Sequence, residues 1–146
     1  MGWTTDLLSG LAQHLDDNGI GTYRSDGSAY LTAETAICVR SIPSEPDRLV
    51  TLAGYPVSDP VRVSDVTVGL QVRVRGTTDP DVCEGIADAV RDLWHGHEAL
   101  VLPGGIYVVQ IVRKSYTSLG QDASGRWEAS HNYHIDAMRQ TTNNPD

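Results

Sequence analysis

Residues 66–76, VTVGLQVRVRG, constrain the fold more than any other stretch of the chain. Val66, Val68, Leu70, Val72 and Val74 recur at every second position, with Thr67, Gln71, Arg73 and Arg75 between them. A period of two sends successive side chains to opposite faces of a strand. One face therefore seeks a core, and the other meets water or a partner. An apolar sheet face must be covered by another layer.

Two segments have the periodicity to cover it. Over 5–18, Leu7, Leu8, Leu11 and Leu15 fall on one stripe, with Asp6, Gln13, Asp16 and Asp17 away from it, which predicts an amphipathic helix. Thr4 or Thr5 is the expected cap and Asn18-Gly19 the expected stop. Over 80–95, Val82, Ile86, Ala89, Val90 and Leu93 cluster at helical spacing. Thr78 or Asp79 supplies the cap there, and Pro80 the first helical residue. Opposite the apolar stripe lie Asp81, Glu84, Asp88 and Asp92. Four carboxylates on one stripe make a solvated face by default. In a ring they would also serve as an electronegative channel wall.

The remaining elements read as strands. AICVRSI at 36–42 and RLVTLAGY at 48–55 are separated by SIPSEPD, whose Pro43 and Pro46 interrupt a ladder. Pro56 is expected to end the second of these, followed by a loop over 56–65. IYVVQIVRK at 106–114 is apolar on both faces, as in a central strand, after the turn LPGG at 102–105. Residues 126–138 alternate again: Trp127, Ala129, His131, Tyr133, Ile135 and Ala137 oppose Glu128, Ser130, Asn132, His134, Asp136 and Met138. Between them SYTSLGQDASG, with Gly120 and Gly125, predicts a hairpin or an extended β-arm over 115–130. The tail TTNNPD is polar. No repeat or linker divides the chain. The expectation is one α+β domain over 1–146: a mostly antiparallel sheet, two helices on one face, and a long C-terminal β-hairpin.

Chemistry is scarce in this pattern. His131 and His134 sit three apart in a strand, so they point to opposite faces and cannot chelate together. His95 and His97 flank Gly96 and can approach one another, but no third ligand stands at zinc spacing. Cys38 and Cys83 form neither a C-x-x-C motif nor a disulfide framework, and read as small buried apolar residues in a reducing compartment. G-x-S-x-G, Walker A and dinucleotide fingerprints are all missing from the sequence, so neither catalysis nor a cofactor is expected. Lys and Arg total 11 against 19 Asp and Glu, a formal charge of −8. Such a surface repels phosphate backbones, and suits a passage that DNA must cross without sticking. The N-terminus lacks a basic n-region, and no apolar run reaches bilayer length, so a protein made and kept in the cytoplasm without a membrane anchor is expected.

SLGQDASGRWEASHNYHIDAM adds a sharper signal. It resembles a signature of the tail terminator and minor capsid proteins of long-tailed, siphovirus-like bacteriophages. That signature is a Gly-x-Asp-x-x-Gly-Arg turn, a β-strand and an Asn-aromatic pair, here Gly120, Asp122, Gly125, Arg126, Asn132 and Tyr133. The order of elements matches in outline along nearly the whole chain. Gln121 departs from the usual charged residue, and Tyr133 stands in a chain without phenylalanine. The resemblance implies a virion protein made in the host bacterial cytoplasm. It implies a homo-hexameric ring at the head-proximal end of the tail that stops tube polymerisation and presents the head-joining surface. Its partners would be itself, the major tail tube protein and a neck stopper protein, with genomic DNA passing through the lumen without specific binding. Tyr116, Leu119, Gln121, Asp122, Arg126 and Trp127 are the candidate assembly contacts, with Arg126 and Trp127 as anchors unless Trp127 packs on the core. Asp81, Glu84, Asp88 and Asp92 are the candidate lumen face. A neck stopper or adaptor, a non-viral binding or dimerisation domain, or an enzyme with a dispersed site would also accommodate the bare residue pattern.

Overall fold

The computed structural model describes residues 2–145. The leucine stripe forms α1, Trp3–Asp17, with Leu7, Leu8, Leu11 and Leu15 all fully buried. Burying each such side chain contributes about 1.5–3 kcal/mol of transfer free energy. α1 begins earlier than its periodicity predicts. Gly2 is the cap residue and makes no side-chain cap bond, so Thr4 and Thr5 lie inside the first turn. Tertiary contact explains the shift: Trp3 packs against the core, and the Arg139 guanidinium stacks 5.0 Å from its ring centroid. Gly19, at φ +78°, follows Asn18 and ends the helix as expected.

α2, Pro80–Trp94, is capped by Asp79, whose carboxylate accepts from the Asp81 N–H at 3.0 Å. Its buried stripe runs through Cys83, Ala87, Val90 and Trp94. Ala89, expected on that stripe, is exposed. The Trp94 indole turned inward sets the rotation: its N–H donates to His14 Nδ1 of α1 at 3.0 Å, tying the two helices together.

Seven strands form one sheet in the order β1-β2-β3-β4-β7-β6-β5. They are β1 (Thr22–Tyr23), β2 (Ala36–Val39), β3 (Leu49–Ser58), β4 (Asp65–Arg75), β5 (Glu98–Val101), β6 (Tyr107–Gln121) and β7 (Trp127–Met138). β1, β2 and β3 pair in parallel, and every other pairing is antiparallel. The fold is thus α+β with a mostly antiparallel sheet, and both helices share one core with the same sheet face. The alternation of β4 holds: Val66, Val68, Leu70, Val72 and Val74 are buried among the helices' side chains.

Three expectations shift. β2 stops at Val39, because Arg40 takes a left-handed conformation at φ +61°. β3 runs through Pro56 to Ser58. Its pairing with β2 ends at Leu52, so Pro56 lies where no neighbour on that side needs its missing N–H. The 106–114 segment is covered on one face only. Val108 and Ile111 are buried under the helices, whereas Tyr107 and Val109 are exposed. A strand from a wholly buried centre would leave neither in water.

The helix-free face is cross-linked by polar side chains. Tyr55 lies flat over Gly69, where a Cβ would meet its ring at 2.1 Å, and its hydroxyl donates to Asn132 Oδ1 at 3.1 Å. Asn132 donates in turn to Ser115 at 3.1 Å, Gln71 to Ser130 at 3.2 Å, and Thr67 to Asp136 at 2.7 Å. Four strands are stitched across without a second layer.

Candidate assembly surfaces

The hairpin between β6 and β7 is built by the residues that carry the signature. Asp122 Oδ1 accepts from the N–H groups of Ser124 and Arg126, both at 2.9 Å. Its other oxygen takes the Arg126 guanidinium at 2.8 Å. These bonds, with the Arg126 N–H contributing most, hold the Asp122 carboxyl below the usual carboxylate range. Gly120 and Gly125 sit at φ +73° and +80°, which side chains resist. Asn132 and Tyr133 then divide between the faces. Asn132 joins the polar lattice, while Tyr133 is buried edge-on against Trp94, ring centroids 5.8 Å apart. Burial pushes the Tyr133 phenol up to about 12.

Arg126 and Trp127 are committed inward. Arg126, 9% exposed, also donates to the Ser44 carbonyl at 2.7 Å and meets Asp47 at 3.3 Å. Beside it Arg75 donates to the carbonyls of Pro43, Pro46 and Asp47 at 2.8–2.9 Å. Two guanidiniums therefore clamp the 43–47 loop onto the hairpin base. Trp127 is half-buried against the core. Arg73 pairs with Glu128 at 3.2 Å.

Tyr116, Leu119 and Gln121 point the other way. β6 is exposed on both faces from Lys114 to Leu119, with Tyr116 at 48% and Leu119 at 43%. Its outer side is covered only at the base. β5 pairs with residues 107–110, then Gly96 and His97 bond Ile111, and His95 Nδ1 accepts from the Arg113 N–H at 3.0 Å. From Lys114 to Gln121 β6 pairs with β7 alone, and no strand lies on its outer side among the described residues. The Tyr116 ring stands edge-on to His131, 4.8 Å away. Burial holds the His131 imidazole below its ordinary value, and neither of its ring nitrogens has a hydrogen-bond partner in the structure.

Asp81, Glu84, Asp88 and Asp92 are all exposed along the solvent side of α2, with Arg91 meeting Asp92 at 3.4 Å. Of the histidines, His97 packs on His14 at 5.8 Å, and His95 serves the β6 backbone.

A further surface escapes sequence reading. Val57, Val61, Val63, Val101, Tyr107 and Val109 are exposed at the opposite end of the sheet from the hairpin tip. Val61 reaches 81%. Ser58, Pro60 and Val109 line one shallow groove there with Thr67 and Asp136. Valines set within Ser-Asp-Pro turn chemistry were the available signal, since a loop without a partner has little use for them.

A family model described as bacteriophage tail terminator protein matches residues 14–139. Among solved structures, a chain from the virion of a native gene transfer agent particle superposes with a TM-score of 0.53 at 16% identity. The match covers 78% of this chain and 88% of that one, and it shows a shared fold. No curated protein matches the sequence.

Proposed function

This chain belongs to the bacteriophage tail terminator family and is a structural component of the phage tail, and from that premise we propose that six copies close the head-proximal end of the tail as a ring. The ring stops growth of the major tail protein tube and presents the surface to which the neck stopper protein joins. The observation that carries this reading is the family match over residues 14–139.

The geometry suits the role. A cyclic ring needs two unlike surfaces on each subunit, because head-to-tail contact pairs one patch with another. Here the exposed β6 edge with Tyr116, Leu119 and Gln121 is one, and the valine-rich end around Val61 and Val109 is the other. Asp122, Arg126 and Trp127 support the first surface from within. The carboxylates of Asp81, Glu84, Asp88 and Asp92 face the bore, where fixed negative charge lets DNA pass without counterion-releasing contacts. The work is done by faces and a bore, and no reaction is required.

Deleting the gene from its phage tests the proposal. Headless particles with overlong tubes of scattered length are the expected result, and tubes of normal length would remove the terminator role. Electron microscopy of virions carrying a labelled chain should place the label at the head end of the tail. A label on the head side of the neck would mark a stopper instead.

A further inference from the structure

The loop between β3 and β4, residues 59–64, holds a shape that its own residues do not favour. Arg62 takes a left-handed conformation at φ +78°, which a residue carrying a Cβ resists unless its surroundings impose it. Val61 and Val63, on either side of it, are exposed. Beside them lies a bay of about 250 Å³, lined by Trp3, Tyr55, Pro56, Val66 and Val68 and by Asp59 of the loop itself. An untethered loop would fold a valine into that bay, because burying apolar surface is favourable. The chain that follows β7 holds it off. The Arg62 N–H donates to Asn144 Oδ1 at 2.6 Å, and the Ser64 carbonyl accepts from the Arg139 N–H at 2.8 Å. No other hydrogen bond reaches residues 59–64 among the described residues. Asn144 is itself fixed: its carbonyl takes the Thr141 N–H at 2.9 Å, and its N–H donates to Thr141 Oγ1 at 3.1 Å. At the other end of this segment the Arg139 guanidinium lies over the Trp3 ring.

We infer that residues 139–144 form a strap that sets the 59–64 loop for assembly, with Asn144 as its positioning residue. By holding the Arg62 N–H, Asn144 keeps Val61 and Val63 clear of the bay and open to a neighbouring copy. The inference rests on the ring reading above, in which the valine-rich end is one of the two seam surfaces. A single hydrogen bond is small against the stability of a fold. It is large enough to decide between two shapes of one loop, whose populations follow a modest bias. A loop already in its docking shape also loses less freedom on association. The strap acts on loop shape and not on the core, since Val61, Arg62 and Val63 are all exposed. Residues 140–144 lie beyond the stretch that the tail terminator family model matches.

The test uses Asn144→Ala in the full chain, both isolated and in the phage that encodes it. Hydrogen exchange at the Arg62 amide should quicken about tenfold, and infectious particles should fall about tenfold or more. The urea midpoint of the isolated chain should stay where it was. Adding Arg62→Asn should restore the particle count, because asparagine tolerates the left-handed region that arginine resists. Undiminished infectivity of Asn144→Ala overturns the inference, as does a loss that Arg62→Asn does not repair. A urea midpoint that falls in Asn144→Ala makes the strap a support of the fold and overturns the inference too. A Val61→Asp/Val63→Asp double variant tells these failures apart from failure of the seam reading. It should prevent particles from forming. Normal particles from it would show that the valine-rich end is no seam, and the surface assigned in the ring falls together with the inference.

Discussion

The β1 flank and the β6 flank show two ways of ending a sheet. At β1 the chain spends side chains: Asp16 takes the Tyr23 N–H, Tyr30 takes the Arg24 N–H just past the strand, and Arg24 grips Glu34 at 2.8 Å and 2.9 Å. Tyr30 also donates to the Ile37 carbonyl at 2.6 Å and packs against a small second cluster of Ala36, Cys38 and Leu49. At β6 no comparable covering exists beyond Arg113. Open edges invite association, and proteins that stay apart blunt them. This chain covers the β1 flank with its own side chains and leaves the outer side of β6 uncovered past Arg113 among the described residues.

Changes at the closed flank should damage the fold, and changes at the open flank should spare it. Gly21→Ala is expected to do the most harm. A Cβ there would lie 2.5 Å from the Thr35 carbonyl oxygen, a backbone atom with nowhere to go. Overpacking of this kind costs about 2–3 kcal/mol, readable as a lower urea midpoint of the isolated chain. An unchanged midpoint would mean the β1–β2 approach is looser than drawn. Asp16→Ala should cost about 1–2 kcal/mol by leaving the Tyr23 N–H without its acceptor. Hydrogen exchange over 22–24 should quicken in that variant, and equal rates would show that the carboxylate does not hold the edge shut.

Acid should act next, from beneath the open edge. Burial lowers the pKa of both His131 and His14 from 6.5. The unfolded chain thus takes up protons first as pH falls. Stability is full above pH 6.5, declines as pH drops below it, and levels off once the folded imidazoles also protonate. Urea midpoints at pH 7.5 and 5.5 measure the decline, and His131→Phe should flatten it; identical slopes with and without His131 would discard its part. The smallest effect belongs to Leu119→Lys, within about 0.5 kcal/mol of the unmodified chain as expected for an exposed site. A thermal melt checks this, and a large drop would mean that the edge is already packed.

Much of this contrast was hidden in the sequence. Strict alternation revealed β4 and β7, leucine spacing revealed α1, and Asp79-Pro80 marked the start of α2 within a residue, because local chemistry decides those features. β1 was invisible: two residues in a Gly-rich stretch have no period, and only Gly21 fitting against Thr35 lets them pair. β5 and the passage of β3 through Pro56 depend likewise on neighbours. For the candidate surfaces, composition singled out the α2 carboxylates and the Gly120–Arg126 turn. It could not separate Arg126 and Trp127, which face inward, from Tyr116 and Leu119, which face out. That division arises from β4 covering β7 on one side while no strand covers β6 past Arg113 on the other, among the described residues.

The uneven edges have a consequence that polymer chemistry states best. A monomer with unequal reactive groups couples first through the least hindered one. Here Asp16 holds the Tyr23 N–H, Pro56 withholds an N–H from the free stretch of β3, and β6 past Arg113 has no strand on its outer side among the described residues. The groups by which this sheet can pair are therefore not equal in reach.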